Sequence, residues 1–211
     1  MGRQPLTRRR LLGLDRSGPP PPETLRKQPL HPWTVPNAIG FVRLALVPVF
    51  LVVALSSDNG PDATAFVIFA VIAWSDYLDG LAARLTGQYS RLGALLDPLT
   101  DRLLVVSGVL VAWRFELLPR WALAMLAARE LFMLVLTELA LRRGVDLKLN
   151  MLGRWAVWPV MSALALSLIV ESWLIDAILY VGVGMTLAAT VLYVQDGLRR
   201  LQQSSTPSTS T

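Results

Sequence analysis

The chain has 211 residues, of which 54% are hydrophobic and 17% charged, and its mean hydropathy is +0.50. That balance excludes an ordinary soluble domain and points to a protein whose solvent is lipid. With no cysteine and a single histidine, His31, disulfides, thiolate metal sites and histidine-rich metal sites are excluded as well. Any metal must then be held by carboxylates, which suits hard ions such as magnesium, manganese or calcium.

The first 32 residues carry Arg8, Arg9 and Arg10 and the proline run Pro19 to Pro22, and they predict a basic, disordered cytoplasmic tail. Six apolar runs follow, at roughly 37–55, 63–82, 93–113, 119–141, 152–170 and 173–195. Each is near the length of about 20 residues that crosses about 30 Å of hydrocarbon. They predict one all-α integral membrane domain over residues 33–200, a six-helix transmembrane bundle, and then a polar, disordered tail over 201–211. The net charge of +5 follows this plan and calls for no nucleic acid. Arg84 and Arg91, then Arg142, Arg143 and Lys148, and finally Arg199 and Arg200 fall on the side of the N-terminal arginines. The opposite links hold Asp58 and Asp62, or Glu171, with Arg114 and Arg120 against the trend. The positive-inside rule therefore places both termini in the cytoplasm. Tryptophans near the ends of the runs, among them Trp33, Trp113, Trp121 and Trp173, read as interfacial anchors.

Acidic residues inside apolar runs carry the chemistry. The second run ends Asp76-Tyr77-Leu78-Asp79-Gly80-Leu81-Ala82-Ala83-Arg84, and the third begins Gly93-Ala94-Leu95-Leu96-Asp97-Pro98-Leu99-Thr100-Asp101. On helices, Asp76 and Asp79 share a face with Gly80 and Ala83, while Gly93, Asp97 and Asp101 form one stripe. The link Leu85–Leu92 is short enough to make these helices antiparallel neighbours whose acidic stripes meet. Four carboxylates converging in a low dielectric require cations, and a divalent metal supplies them. Isolated acids of this kind often cap helices or reach for the interface, and Gly80, Ala83 and Gly93 also suit close helix packing. Pro98 removes a helix hydrogen-bond donor beside Asp97.

The pattern Asp-x-x-Asp-Gly-x-x-Ala-Arg, eight residues, Gly-x-x-x-Asp-x-x-x-Asp resembles the signature of the CDP-alcohol phosphatidyltransferase family, with every position filled. The resemblance implies that Asp76, Asp79 and Asp97 ligate magnesium or manganese. Asp101 would complete the metal site and act as the base on the acceptor hydroxyl. Asp76, Asp79, Gly80, Ala83, Arg84 and Gly93 would form the nucleotide site for CDP-diacylglycerol. It also implies a homodimer in a bacterial cell membrane with a cytoplasmic active site.

Three arginines inside apolar runs bear on the second substrate, since a charge in hydrocarbon is costly unless it faces a polar cavity. The segment Pro36-Asn37-Ala38-Ile39-Gly40-Phe41-Val42-Arg43 resembles the first span of bacterial phosphatidylglycerophosphate synthases of the family, and Ala128-Arg129-Glu130 and Gly153-Arg154 resemble their Ala-Arg-Glu and Gly-Lys elements. Arg154 stands where that resemblance expects lysine, and Val157 where it expects threonine. Arg129, Arg154 and Arg43 are accordingly the expected contacts to the acceptor's phosphate, with glycerol 3-phosphate as the expected small alcohol phosphate. Snorkelling to the interface is the rival reading for Arg43 and Arg154, and an ion pair with Glu130 for Arg129. Phosphatidylglycerol, as in a cardiolipin synthase, and an inositol phosphate are alternative acceptors. A cation-coupled transporter is the alternative of another class.

Overall fold

A computed structural model describes residues 34–57, 62–142 and 151–204. Among them are six helices and no strand: α1 (Val35–Leu55), α2 (Ala63–Thr86), α3 (Arg91–Arg114), α4 (Arg120–Arg142), α5 (Met151–Leu166) and α6 (Trp173–Ser204). Each expected run holds one helix, as the all-α membrane reading requires. The basic N-terminal tail, Asp58, Arg143, Lys148 and the last seven residues lie outside the described residues.

Helices α1, α2 and the part of α6 up to Gln195 are long and apolar enough to cross a membrane. Large apolar side chains such as Val52, Trp74 and Trp173 are exposed, which suits a surface solvated by lipid rather than water. Helices α3 and α4 have the length but carry Asp97, Asp101 and Arg102, or Arg129, Glu130 and Glu138, within it. Two expected boundaries move. The fifth run was expected to span to residue 170, but α5 stops at Leu166 after 16 residues, about 24 Å at 1.5 Å per residue. It gives way to a turn over residues 167–169 in which the Ser167 hydroxyl donates to the Leu164 carbonyl at 2.9 Å. At the other end, α6 runs on through Ser204, so the predicted tail at 201–211 begins as helix.

The chain divides into two compact units, one ending at Ser107 and the other starting at Gly108. In the first, the buried residues of α1 are Asn37, Gly40, Arg43, Val47, Phe50 and Ala54, a stripe at three- and four-residue spacing that defines one packed face. It meets the α2 stripe Ala65, Phe69, Ile72 and Asp79, and Phe50 and Phe69 pack edge to face with ring centroids 5.3 Å apart. Both stripes are apolar at one end and polar at the other. Arg43, near the start of α1, therefore lies where Asp79 does near the end of α2.

The second unit is held by apolar packing of α5 and α4 on α6. Trp121 stacks on Tyr180 at 5.0 Å. A side chain on Gly182 would stand 2.9 Å from the Val160 backbone nitrogen, so α5 and α6 pack at a distance that only glycine permits.

Candidate active site

The acidic cluster forms inside the first unit because the connection between α2 and α3 is tight. Helix α2 ends at Gly87, whose left-handed backbone (φ 64°, ψ 15°) closes the helix without a Cβ penalty. Helix α3 begins four residues later, so the link is shorter than the expected Leu85–Leu92. Ser90 caps it: its hydroxyl accepts from the Gly93 backbone N–H at 2.9 Å and donates to Asn37 Oδ1 at 2.7 Å. Gln88 Oε1 accepts from the Val35 backbone N–H at 3.1 Å. The starts of α1 and α3 are thus tied together, and α3 runs without interruption through Pro98.

This register brings Asp76, Asp79 and Asp97 into one group, with one carboxylate oxygen from each lying within 4.8 Å of the others. Asp79 is buried, whereas the side chains of Asp76, Asp97 and Asp101 are each somewhat under half exposed. Three hard oxygen donors on two helices fit magnesium or manganese in chemistry and in number. Asp101, one turn beyond Asp97, is outside that triad and joins it through an arginine. Arg43 is 1% exposed. Its Nη1 lies 2.7 Å from Asp79 Oδ2, 3.1 Å from Asp76 Oδ1 and 3.8 Å from Asp97 Oδ1, and its Nη2 donates to Asp101 Oδ1 at 2.9 Å. One guanidinium thus meets all the aspartates of the motif, and its planar fork is what lets it reach two helices at once.

The remaining expected site residues sort by location. In α2, the Arg84 guanidinium folds over Gly80, with its nearest nitrogen 3.6 Å from where a Cβ would stand, and Ala83 is half-buried beside it. A Cβ on Gly93 would stand 2.8 Å from Asn37 Oδ1 and 3.2 Å from Ser90 Oγ. Its smallness is therefore already required by the cap that joins α1 to α3. Arg43, expected at the acceptor's phosphate, lies among the aspartates. Arg129 sits in the second unit, where its Nε donates to Thr190 Oγ1 at 3.1 Å and its Nη1 pairs with Glu130. The side chain of Arg154 lies outside the described residues. Neither Asn37 nor Ser90 is among the expected site residues. The available signal was a helix-capping pattern, a serine three residues before Gly93, together with an asparagine on the buried face of α1.

The model of the family described as CDP-alcohol phosphatidyltransferase matches residues 33–194. A protein of Streptomyces coelicolor named "Cardiolipin synthase (CMP-forming)" is 41% identical over 141 residues, covering 64% of this chain and 65% of that one. A Mycobacterium tuberculosis protein named "Probable phosphatidylglycerophosphate synthase" is 35% identical over 112 residues, 52% of this chain and 54% of its own length. The Bacillus subtilis "CDP-diacylglycerol--glycerol-3-phosphate 3-phosphatidyltransferase" is 28% identical over 145 residues, 63% of this chain and 75% of its own. The match thus spans a little under two thirds of the Streptomyces relative.

Proposed function

Because the chain belongs to the CDP-alcohol phosphatidyltransferase family, we propose that it transfers the phosphatidyl group of CDP-diacylglycerol to the hydroxyl of a glycerol-bearing acceptor and releases CMP. The observation that carries this is the convergence of Asp76, Asp79 and Asp97 within 4.8 Å, with Asp101 linked to them by Arg43. Bound to that triad, a divalent cation would neutralise the pyrophosphate oxygens and the charge that grows on departing CMP.

The protein's own groups account for the rest. Asp101 takes the proton of the acceptor hydroxyl as its oxygen attacks the phosphorus that bears diacylglycerol. The bond from that phosphorus to the bridging oxygen breaks, and CMP leaves with the electron pair. A carboxylate suits the task because one oxygen, Oδ1, is fixed by Arg43 while the side chain stays 42% exposed and open to an acceptor. Arg84, poised over Gly80, supplies positive charge for the nucleotide's phosphates. The site lies at the polar ends of helices long enough to cross a membrane, which lets the donor's acyl chains stay in lipid while its nucleotide meets water. The same reading sets the site on the cytoplasmic face and pairs two copies of the chain, as the family resemblance implies.

Glycerol 3-phosphate and phosphatidylglycerol present the same chemistry, a glycerol hydroxyl on a phosphate-bearing molecule. The higher identity to a protein named as a cardiolipin synthase puts phosphatidylglycerol first, with cardiolipin as product, and the 35% and 28% matches keep glycerol 3-phosphate second. Purified protein given CDP-diacylglycerol, a divalent metal and each acceptor in turn should release CMP with phosphatidylglycerol. Release with glycerol 3-phosphate alone would establish the second reading. No release with any acceptor would remove both.

Arg129 remains the candidate contact to the acceptor's phosphate. Its loss removes a charge-assisted hydrogen bond, so Arg129→Ala should raise the acceptor KM about tenfold or more and leave the donor KM unchanged. Equal acceptor KM values in mutant and wild type would dismiss that role.

A further inference from the structure

We propose that Arg43 is a positioning residue that shares one oxygen cage with the divalent ion, so that metal entry and the Arg43 Nη1 contacts exclude each other. The proposal rests on the metal-dependent reading above. The oxygens that Nη1 approaches, at 3.1, 2.7 and 3.8 Å, belong to Asp76, Asp79 and Asp97, the same triad whose oxygens group within 4.8 Å. A small divalent cation binds carboxylate oxygens at about 2.0 to 2.6 Å, so an ion held by the oxygens that Nη1 approaches would stand against Nη1. Two cations that close, with a buried guanidinium as one of them, repel strongly.

Two further features of Arg43 fit an exchange rather than a permanent lock. Its Nε is buried and has no hydrogen-bond partner among the described residues, so the pose leaves one donor unsatisfied and is not the best this side chain can reach. Its Nη2 holds Asp101 at 2.9 Å, outside the triad, and that contact can persist while Nη1 withdraws. In the metal-free chain Arg43 offsets part of the repulsion among the four acids. In the loaded chain it yields the cage and continues to orient the base. Lysine could not do both, because a single nitrogen cannot serve the triad and Asp101 separately.

Binding of Mn²⁺ to the full chain in lipid nanodiscs, titrated by electron paramagnetic resonance with neither CDP-lipid nor acceptor present, tests this. Arg43→Gln should bind Mn²⁺ about tenfold or more tightly than wild type, since the competing cation is gone. Equal or weaker binding, or no Mn²⁺ bound by either protein, would overturn the proposal. Should Arg43→Gln fail to fold for want of a countercharge, Asp101→Asn/Arg43→Gln restores the wild-type net charge of the cluster. Compared with Asp101→Asn alone, it must show the same tightening, and without it the proposal falls. Tightened Mn²⁺ binding in a protein that releases no CMP with any acceptor would instead sink the transferase reading and leave the shared cage intact.

Discussion

Replacing Asp101 by asparagine should lower the turnover of phosphatidyl transfer by about 10² to 10⁴, the usual contribution of a positioned general base. The amide keeps the shape of the side chain and can still accept from Arg43 Nη2, now 2.9 Å from Oδ1, but it cannot take a proton from the acceptor. Asp101 also stands apart from the three residues whose oxygens group together. Its loss should therefore leave Mn²⁺ bound and the KM for CDP-diacylglycerol within about threefold of wild type, in the manner of a residue that acts only in the transition state. Turnover, donor KM and Mn²⁺ binding of the same preparation check all three. Turnover close to wild type would remove Asp101 as the base, and loss of Mn²⁺ would make it a fourth metal ligand, as the family resemblance implies.

Sequence alone revealed the helices and the acidic motif for the same reason. Hydrophobic runs interrupted by polar links are a one-dimensional property, and so is the spacing of Asp76, Asp79, Asp97 and Asp101 on two consecutive helices. What it concealed depends on contacts between distant segments. Arg43 is 58 residues from Asp101, and nothing local to Val42-Arg43-Leu44 says that its guanidinium meets the aspartates rather than an acceptor's phosphate. The periodicity of α1 held part of the answer, because Arg43 falls on the stripe that also carries Asn37, Val47 and Phe50. A charge on a buried stripe must find countercharge within the protein, whereas a snorkelling arginine would lie on the outer face. Gly93 makes the same point. Beside its expected place at the nucleotide, Asn37 and Ser90, 53 residues apart, leave no room there for a side chain. The early end of α5 has a different cause: residues 167–170 are apolar enough to continue a span, and only the turn closed by Ser167 shows that the helix has stopped.

Asp97→Asn is expected to part stability from activity. Asp97 Oδ1 is 3.8 Å from Arg43 Nη1, too far for a hydrogen bond, while one of its oxygens lies within 4.8 Å of one from Asp76 and one from Asp79. Around one arginine stand four carboxylates, so the metal-free cluster carries more negative charge than Arg43 can offset. Asp97 contributes much of the repulsion and little of the attraction. Neutralising it should leave the midpoint of thermal unfolding of the metal-free protein unchanged or raise it by about 2 to 4 °C, the shift that 1 kcal/mol makes in a chain of this size. The same change exchanges one anionic oxygen ligand of three for a neutral amide oxygen, which should weaken Mn²⁺ binding and cut CMP release by at least about 100-fold at fixed metal concentration. Asp79→Asn supplies the contrast, because Asp79 is buried and takes a 2.7 Å hydrogen bond from Arg43. Weakening that buried pair should lower the midpoint even as charge is relieved. Thermal unfolding with and without Mn²⁺, alongside CMP release, reads both variants. If Asp97→Asn unfolds earlier than wild type without metal, the carboxylate is a structural partner, and the strain assigned to the cluster is wrong. If it unfolds no earlier yet transfers nothing, the protein tolerates the repulsion at Asp97 for the sake of the cation it recruits.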